Sequence, residues 1–211
     1  MELITGLIDF ILHIDKHLVE IIRDYGTWSY LVLFMIIFSE TGFVVTPFLP
    51  GDSLLFVIGA LGASGVLNFK VALILLIIAA VGGNTLNYFI GRMLGHKILA
   101  MKNSRIIKKE YLHNTQAFYK KHGGKAIILS RFIPIIRTFA PFVAGIGKMK
   151  FMKFCFFNII GGVSWVLLFI FAGYFFGNIP AVKNNFTYVI FAIIFVSLLP
   201  TVIPYIRSKI K

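Results

Sequence analysis

The 211 residues carry a formal charge of +13, are 58% hydrophobic and have a mean hydropathy of +0.89. With several apolar runs of about 20 residues, the length that crosses a bilayer, this composition excludes an ordinary soluble domain. The Lys and Arg excess clusters in short loops beside those runs, a topology signal rather than a nucleic-acid surface, and the single Cys155 excludes an intramolecular disulfide.

Residues 1–25 hold an apolar run interrupted by Asp9, His13, Asp15, Lys16 and His17, with no small-residue cleavage site after it. A signal peptide is rejected, and the mostly helical spacing of Leu3, Ile4, Leu7, Ile8, Ile11, Leu12 and Leu18 predicts an amphipathic N-terminal helix lying on the membrane surface. A first crossing is predicted from Trp28 to about Val45, opening a first repeat over 28–95. Residues 46–65 contain Pro47, Pro50, Gly51 and Asp52, then Gly59, Gly62 and Gly65. Proline and glycine at this density cannot make one straight span, and irregular backbone at membrane depth survives only when buried in protein or lining a cavity. The segment is predicted to be re-entrant, with Asp52 able to cap a half-helix starting near Ser53. Phe69 to Ile90 is the clearest full crossing, ending at Gly91 and Arg92.

Residues 96–125 form a basic cytoplasmic loop, with a turn at Asn103 and Ser104 and a surface helix over Tyr111 to Lys121. A second repeat, 126–177, opens with another broken apolar segment, 126–147, containing Arg131, Pro134, Arg137 and Pro141. Lys148, Lys150 and Lys153 follow, then a crossing over Phe154 to Phe176 and a last crossing over 186–206 before a basic tail. Were 126–147 to span the membrane, the three lysines would lie outside, against the positive-inside bias; a re-entrant segment keeps them inside, with both termini cytoplasmic.

Shifting the chain by about 82 positions superposes Gly65, Phe69, Gly91 and Gly95 on Gly147, Phe151, Gly173 and Gly177. The expected fold is therefore all-α and integral to the membrane. A single transport domain, 1–211, would be built as an inverted repeat, with two opposed re-entrant helical hairpins and about four full transmembrane crossings.

Four charges stand in the apolar segments: Glu40, Asp52, Arg131 and Arg137. Left facing lipid they would cost about 10 to 14 kcal/mol together on insertion scales, so they must face one another, water or a charged ligand. Carboxylates at such depth can switch protonation, which suits proton coupling or gating by Glu40 and Asp52. Guanidinium stays charged and its planar fork suits phosphate, which makes Arg131 and Arg137 the candidate headgroup-binding pair. The structural alternative is that the four charges merely neutralise one another. Asn84 and Asn87 share a helix face near Tyr88, either bonding neighbouring helices or lining a path. No HExxH motif occurs, and Ser53, Ser130 and Ser164 have no intramembrane histidine, so neither a zinc protease nor a serine hydrolase is supported, and no metal or cofactor is expected.

These residues resemble the DedA family, also called the SNARE-associated or VTT-domain family. The first pattern is an acidic residue followed by a proline-rich PGD turn, here Glu40 and Pro47 to Asp52; the second is R-F-x-P-x-x-R-T leading to A-G, here Arg131, Phe132, Pro134, Arg137, Thr138, Ala144 and Gly145. The resemblance implies a lipid translocase of the bacterial inner membrane, whose relatives are implicated in returning undecaprenyl phosphate to the cytoplasmic face or in moving phosphatidylethanolamine, with a link to the proton motive force. It also implies that Glu40, Asp52, Arg131 and Arg137 are the essential charges, supported by Pro47, Pro50, Gly51, Asn84, Asn87, Pro134 and Thr138. Many relatives carry an aspartate where this chain has Asn84, so a protonation role there is in doubt. The expected function is a flippase moving undecaprenyl phosphate from the outer to the inner leaflet. Its rivals are a flippase or scramblase of another phospholipid such as phosphatidylethanolamine, a proton or small-ion antiporter, and a non-transporting scaffold. Expected partners are the anionic lipid and protons, with no nucleic acid; a homodimer stays open.

Overall fold

The computed structural model describes residues 20, 22, 24–43, 51–100, 109–183, 185, 188, 189, 191–193 and 195. Most of the expected amphipathic segment, Pro47, Pro50, the Asn103 and Ser104 turn, most of the 186–206 crossing and the basic tail lie outside the described residues. Among the described residues every regular element is helical: α1 (Ser29–Gly42), α2 (Gly51–Ala63), α3 (Phe69–Ala100), α4 (Lys109–His122), α5 (Ala126–Ser130), α6 (Pro134–Ile146), α7 (Phe151–Phe176) and α8 (Pro180–Lys183).

Two spans are long and apolar enough to cross a membrane, Phe69–Leu94 in α3 and Phe151–Phe176 in α7, of 26 residues each. At the α-helical rise each is about 39 Å long, enough to cross a bilayer core of ~30 Å with tilt. They begin 82 positions apart, at the Phe69 and Phe151 that the sequence shift pairs. Each follows a 13-residue helix, α2 or α6, of about 20 Å, too short to cross unaided.

Boundaries differ from expectation at several ends: the crossing expected from Phe154 starts at Phe151, and the surface helix expected over Tyr111 to Lys121 runs from Lys109 to His122. The first crossing was expected to reach Val45, but α1 is 14 residues and stops at Gly42, where Phe43 turns extended (φ −104°, ψ 131°). The crossing expected to end at Gly91 and Arg92 instead continues as helix to Ala100. Gly91 is no terminator: it lies against another helix so closely that a Cβ there would collide with the Phe142 carbonyl.

The short helices are exchanged between halves. α2 lies along α7 and α6 lies along α3, while α1 also packs on α3. Glycines make both contacts close, as small residues do where helices pack in membranes. A Cβ on Gly59 of α2 would strike the Ile170 carbonyl of α7, and one on Gly173 of α7 would strike Phe56 of α2. The same crossing recurs in the other pair, Gly145 of α6 against Tyr88 of α3 and Gly91 of α3 against Phe142 of α6.

The radial order of side chains is that of a protein solvated by lipid. Ile74, Ile78, Phe156, Leu168 and Phe175 are exposed, whereas Glu40, Asn87 and Asn158 are completely buried and Arg131 is 1% exposed. A charged interior beneath an apolar surface is favourable when the surroundings are hydrocarbon.

Candidate functional site

Two chain breaks build the site. α1 ends on α3, where a Cβ on Gly83 would strike Thr41 Oγ1, and this close approach turns Glu40 inward from the last turn of α1. α2 begins at Gly51, whose missing side chain leaves room for the Glu40 carboxylate; a Cβ there would overlap it. Asp52 stands in the first turn of α2, within the helix rather than before it, and points its carboxylate at neighbouring elements.

The second break has a clear local cause. Pro134 drives the residue before it out of the helical region, and Ile133 is extended (φ −126°, ψ 102°). Arg131, Phe132 and Ile133 close the end of α5 with i→i−3 bonds to Ile128, Leu129 and Ser130. Pro134 then opens α6 at a position where its missing N–H loses nothing. Arg131 is thereby left at the break, and Arg137 comes one turn into α6.

The arms meet. Arg137 donates through Nη1 to Asp52 Oδ1 at 2.6 Å and through Nη2 to Glu40 Oε1 at 2.5 Å, so one guanidinium joins α6 to both α1 and α2. Trp165 of α7 donates its indole N–H to the same Asp52 oxygen at 2.8 Å. Its ring lies beneath both arginines, with Cζ of Arg137 at 4.9 Å and of Arg131 at 5.8 Å from the centroid. Each cation is thus shared with an aromatic face, a contact worth about 2 kcal/mol when desolvated.

Arg131 has a different company. Its Nη2 donates to the Ala80 carbonyl at 3.1 Å and to Asn158 Oδ1 at 2.9 Å. Asn84, with its amide oxygen facing the guanidinium, accepts from Arg131 Nε at 3.3 Å and Nη2 at 2.9 Å. Asn158 is itself fixed by donating to the Val81 carbonyl and Thr85 Oγ1. Among the described residues no carboxylate lies within salt-bridge distance of Arg131, and its buried Nη1 has no hydrogen-bond partner.

Asn87 braces the site from below, donating to the carbonyls of Thr138 at 2.8 Å and Thr41 at 3.3 Å and so tying α6 and α1 to α3. Of the residues singled out in the sequence, Glu40, Asp52, Arg131, Arg137 and Asn84 converge, Gly51, Asn87, Pro134 and Thr138 shape their supports, and Pro47 and Pro50 are outside the described residues.

Two members were missed, Asn158 and Trp165. Both carried a signal: tryptophan favours membrane interfaces rather than mid-span positions, and a buried indole N–H or amide needs a partner. With both carboxylates ionised, the centre holds two positive and two negative charges. Removing one would leave an uncompensated buried charge, at a cost of about 3 to 5 kcal/mol. No group of His, Cys, Asp and Glu among the described residues is placed to hold a metal ion.

Residues 49–175, which include every charged member of this centre except Glu40, match the VTT domain family. The chain is similar to Protein DedA of Escherichia coli K12, 56% identical over 211 residues that cover 99% of this chain and 96% of the relative. An uncharacterized membrane protein of Mycobacterium tuberculosis H37Rv is 44% identical over 83% of this chain and 78% of its own length. Inner membrane protein YqjA of E. coli K12 is 36% identical over 72% of this chain and 69% of its own length. No solved structure matches. A charged centre enclosed by apolar helices, a match spanning most of the chain and near full-length identity to a named member together place this membrane protein in the DedA, or VTT-domain, family.

Proposed function

We propose that the protein is a flippase of phosphate-bearing lipid in the bacterial cytoplasmic membrane, moving undecaprenyl phosphate from the outer to the inner leaflet under the proton motive force. The observation that carries this reading is the Glu40–Arg137–Asp52 bridge with Arg131 beside it, buried where the two short helices meet the two long spans. In this reading α2 and α6, with the segments before them, form opposed re-entrant hairpins of an inverted repeat, and about four full crossings place both termini in the cytoplasm. Short interrupted helices that meet at a charged centre are the arrangement by which transporters bind a solute near the membrane midplane.

Arg131 and Arg137 supply fixed positive charge for the phosphate. Glu40 and Asp52 take up and release protons as access alternates between the two faces, which offsets the charge of the arriving headgroup. The polyprenyl tail stays in lipid, which already solvates hydrocarbon, so only the headgroup traverses the protein. A zwitterionic cargo such as phosphatidylethanolamine is the second reading, favoured by the paired carboxylates, which suit an ammonium group. Competition between the two lipids for movement separates them. A proton or small-ion antiporter would pass protons with no lipid cargo present.

The test is time-resolved uptake of labelled undecaprenyl phosphate across proteoliposomes, with and without an imposed proton gradient. Gradient-stimulated movement is expected, lowered at least about tenfold by Arg131→Ala, the scale of a lost hydrogen bond to a charged group. Movement equal to that in protein-free vesicles would sink the reading.

A further inference from the structure

The two arginines are not equivalent, although both overlie one indole. Both terminal nitrogens of Arg137 are occupied by carboxylates. Arg131 is equally enclosed but is held only by neutral dipoles, the Ala80 carbonyl and the Asn158 and Asn84 amides, and its Nη1 is a buried donor without a partner. Arg137 also has one unpartnered donor, Nε, but both ends of its fork are already taken by Glu40 and Asp52.

We infer that the pair divides its work: Arg131 is the seat for a singly negative phosphate headgroup, and Arg137 is a latch held closed by Glu40 and Asp52. This rests on the lipid-translocase reading and deepens it. The charge class follows from neutrality. The centre sums to zero with both carboxylates ionised, so a monoanion arriving at Arg131 is balanced by one proton on one carboxylate, whereas a dianion needs two. That same proton removes one of the two ion pairs holding Arg137. Occupancy of the seat and loosening of the latch are therefore one event in charge terms, and the latch joins α1, α2 and α6. The class is a phosphodiester, or a phosphate monoester carrying one proton, on an amphiphile.

Trp165 provides a reporter, because the chain has only one other tryptophan, Trp28, which is well exposed and stands at the opposite end of α1 from Glu40. In full-length Trp28→Phe protein in maltoside detergent, Trp165 fluorescence would be titrated with dihexanoylphosphatidylglycerol, with inorganic phosphate and with uncharged dihexanoylglycerol. A saturable change with the phosphodiester and none with dihexanoylglycerol is expected. Arg131→Gln should weaken binding at least about tenfold and clearly more than Arg137→Gln, since both remove one positive charge from the centre but only the former also loses a charged hydrogen-bond donor to the ligand. A response to inorganic phosphate supports the seat and locates recognition in the phosphate itself. Asp52→Asn, which unloads the latch without touching Arg131, should bind at least as tightly as its parent, and a tenfold loss there would overturn the inference even if an arginine variant failed to fold. Equal weakening in both arginine variants would overturn the division of labour and leave the translocase reading standing. No saturable response to either phosphate probe would overturn both.

Discussion

At Arg137 the planar shape of the side chain matters as much as its charge, because one flat fork reaches two carboxylates from different helices. A lysine keeps the charge but is a point donor on a flexible stem, and cannot hold both partners in that geometry. Arg137→Lys is accordingly expected to slow translocation about tenfold or more in the vesicle assay, and full activity would refute the latch. Gly51→Ala acts on the same bridge from beneath, driving a methyl group into the Glu40 carboxylate. A loss of about 1 to 3 kcal/mol, the usual range for overpacking, should appear in detergent unfolding. The four charges were legible in the sequence because an ionised side chain in an apolar segment has no acceptable lipid-facing solution. Trp165 was passed over although its mid-span position was a signal, because a tryptophan among phenylalanines counts as one more apolar residue until a neighbour for its N–H is known. Which arginine receives the carboxylates is likewise set by how α6 lies against α1 and α2, and no spacing encodes it.

Among the elements, the two helix crossings set the architecture and can be tested one glycine at a time. Gly173→Ala should push α2 from α7 and destabilise by about 1 to 3 kcal/mol. Gly82→Ala, whose Cβ would sit 3.4 Å from the Phe38 ring in ordinary contact, should change stability by no more than about 0.5 kcal/mol. A melting series in detergent that ranked the two equally would contradict the crossing. On α4, Tyr119 donates to the Ala140 carbonyl at 3.0 Å, and burial pushes its phenol above its ordinary range, so it stays a neutral donor at any working pH. Tyr119→Phe should cost about 1 kcal/mol, measured the same way, by releasing α4 from α6. The break before α6 was readable from its proline, and both long spans from their apolar length. The end of α3 was misjudged because Gly91 marks a helix contact, and a contact glycine and a terminating glycine look alike in one dimension; α1 was carried past Gly42 because its apolar run continues to Val45, and apolar length does not show where the backbone turns extended.

Across the whole molecule, the proposed topology makes a prediction about sides. In a Cys155→Ser background, Lys121→Cys and Lys150→Cys should react with a membrane-impermeant maleimide from the cytoplasmic face only, and Ser64→Cys from the opposite face only; all three are exposed positions. Labelling of residues 121 and 150 from different faces would remove the re-entrant assignment of 126–147. The loop charges are the sequence's argument for that assignment, whereas the partnering of α2 with α7 and of α6 with α3 is a long-range choice that neither composition nor period announces. That exchanged partnering means that neither half carries its own mate. A chain cut between residues 100 and 109 would yield two fragments, each with a short helix whose docking face is on the other fragment. Expressed alone, each should be degraded; expressed together, they should reassemble into a working protein, two polypeptides behaving as one molecule.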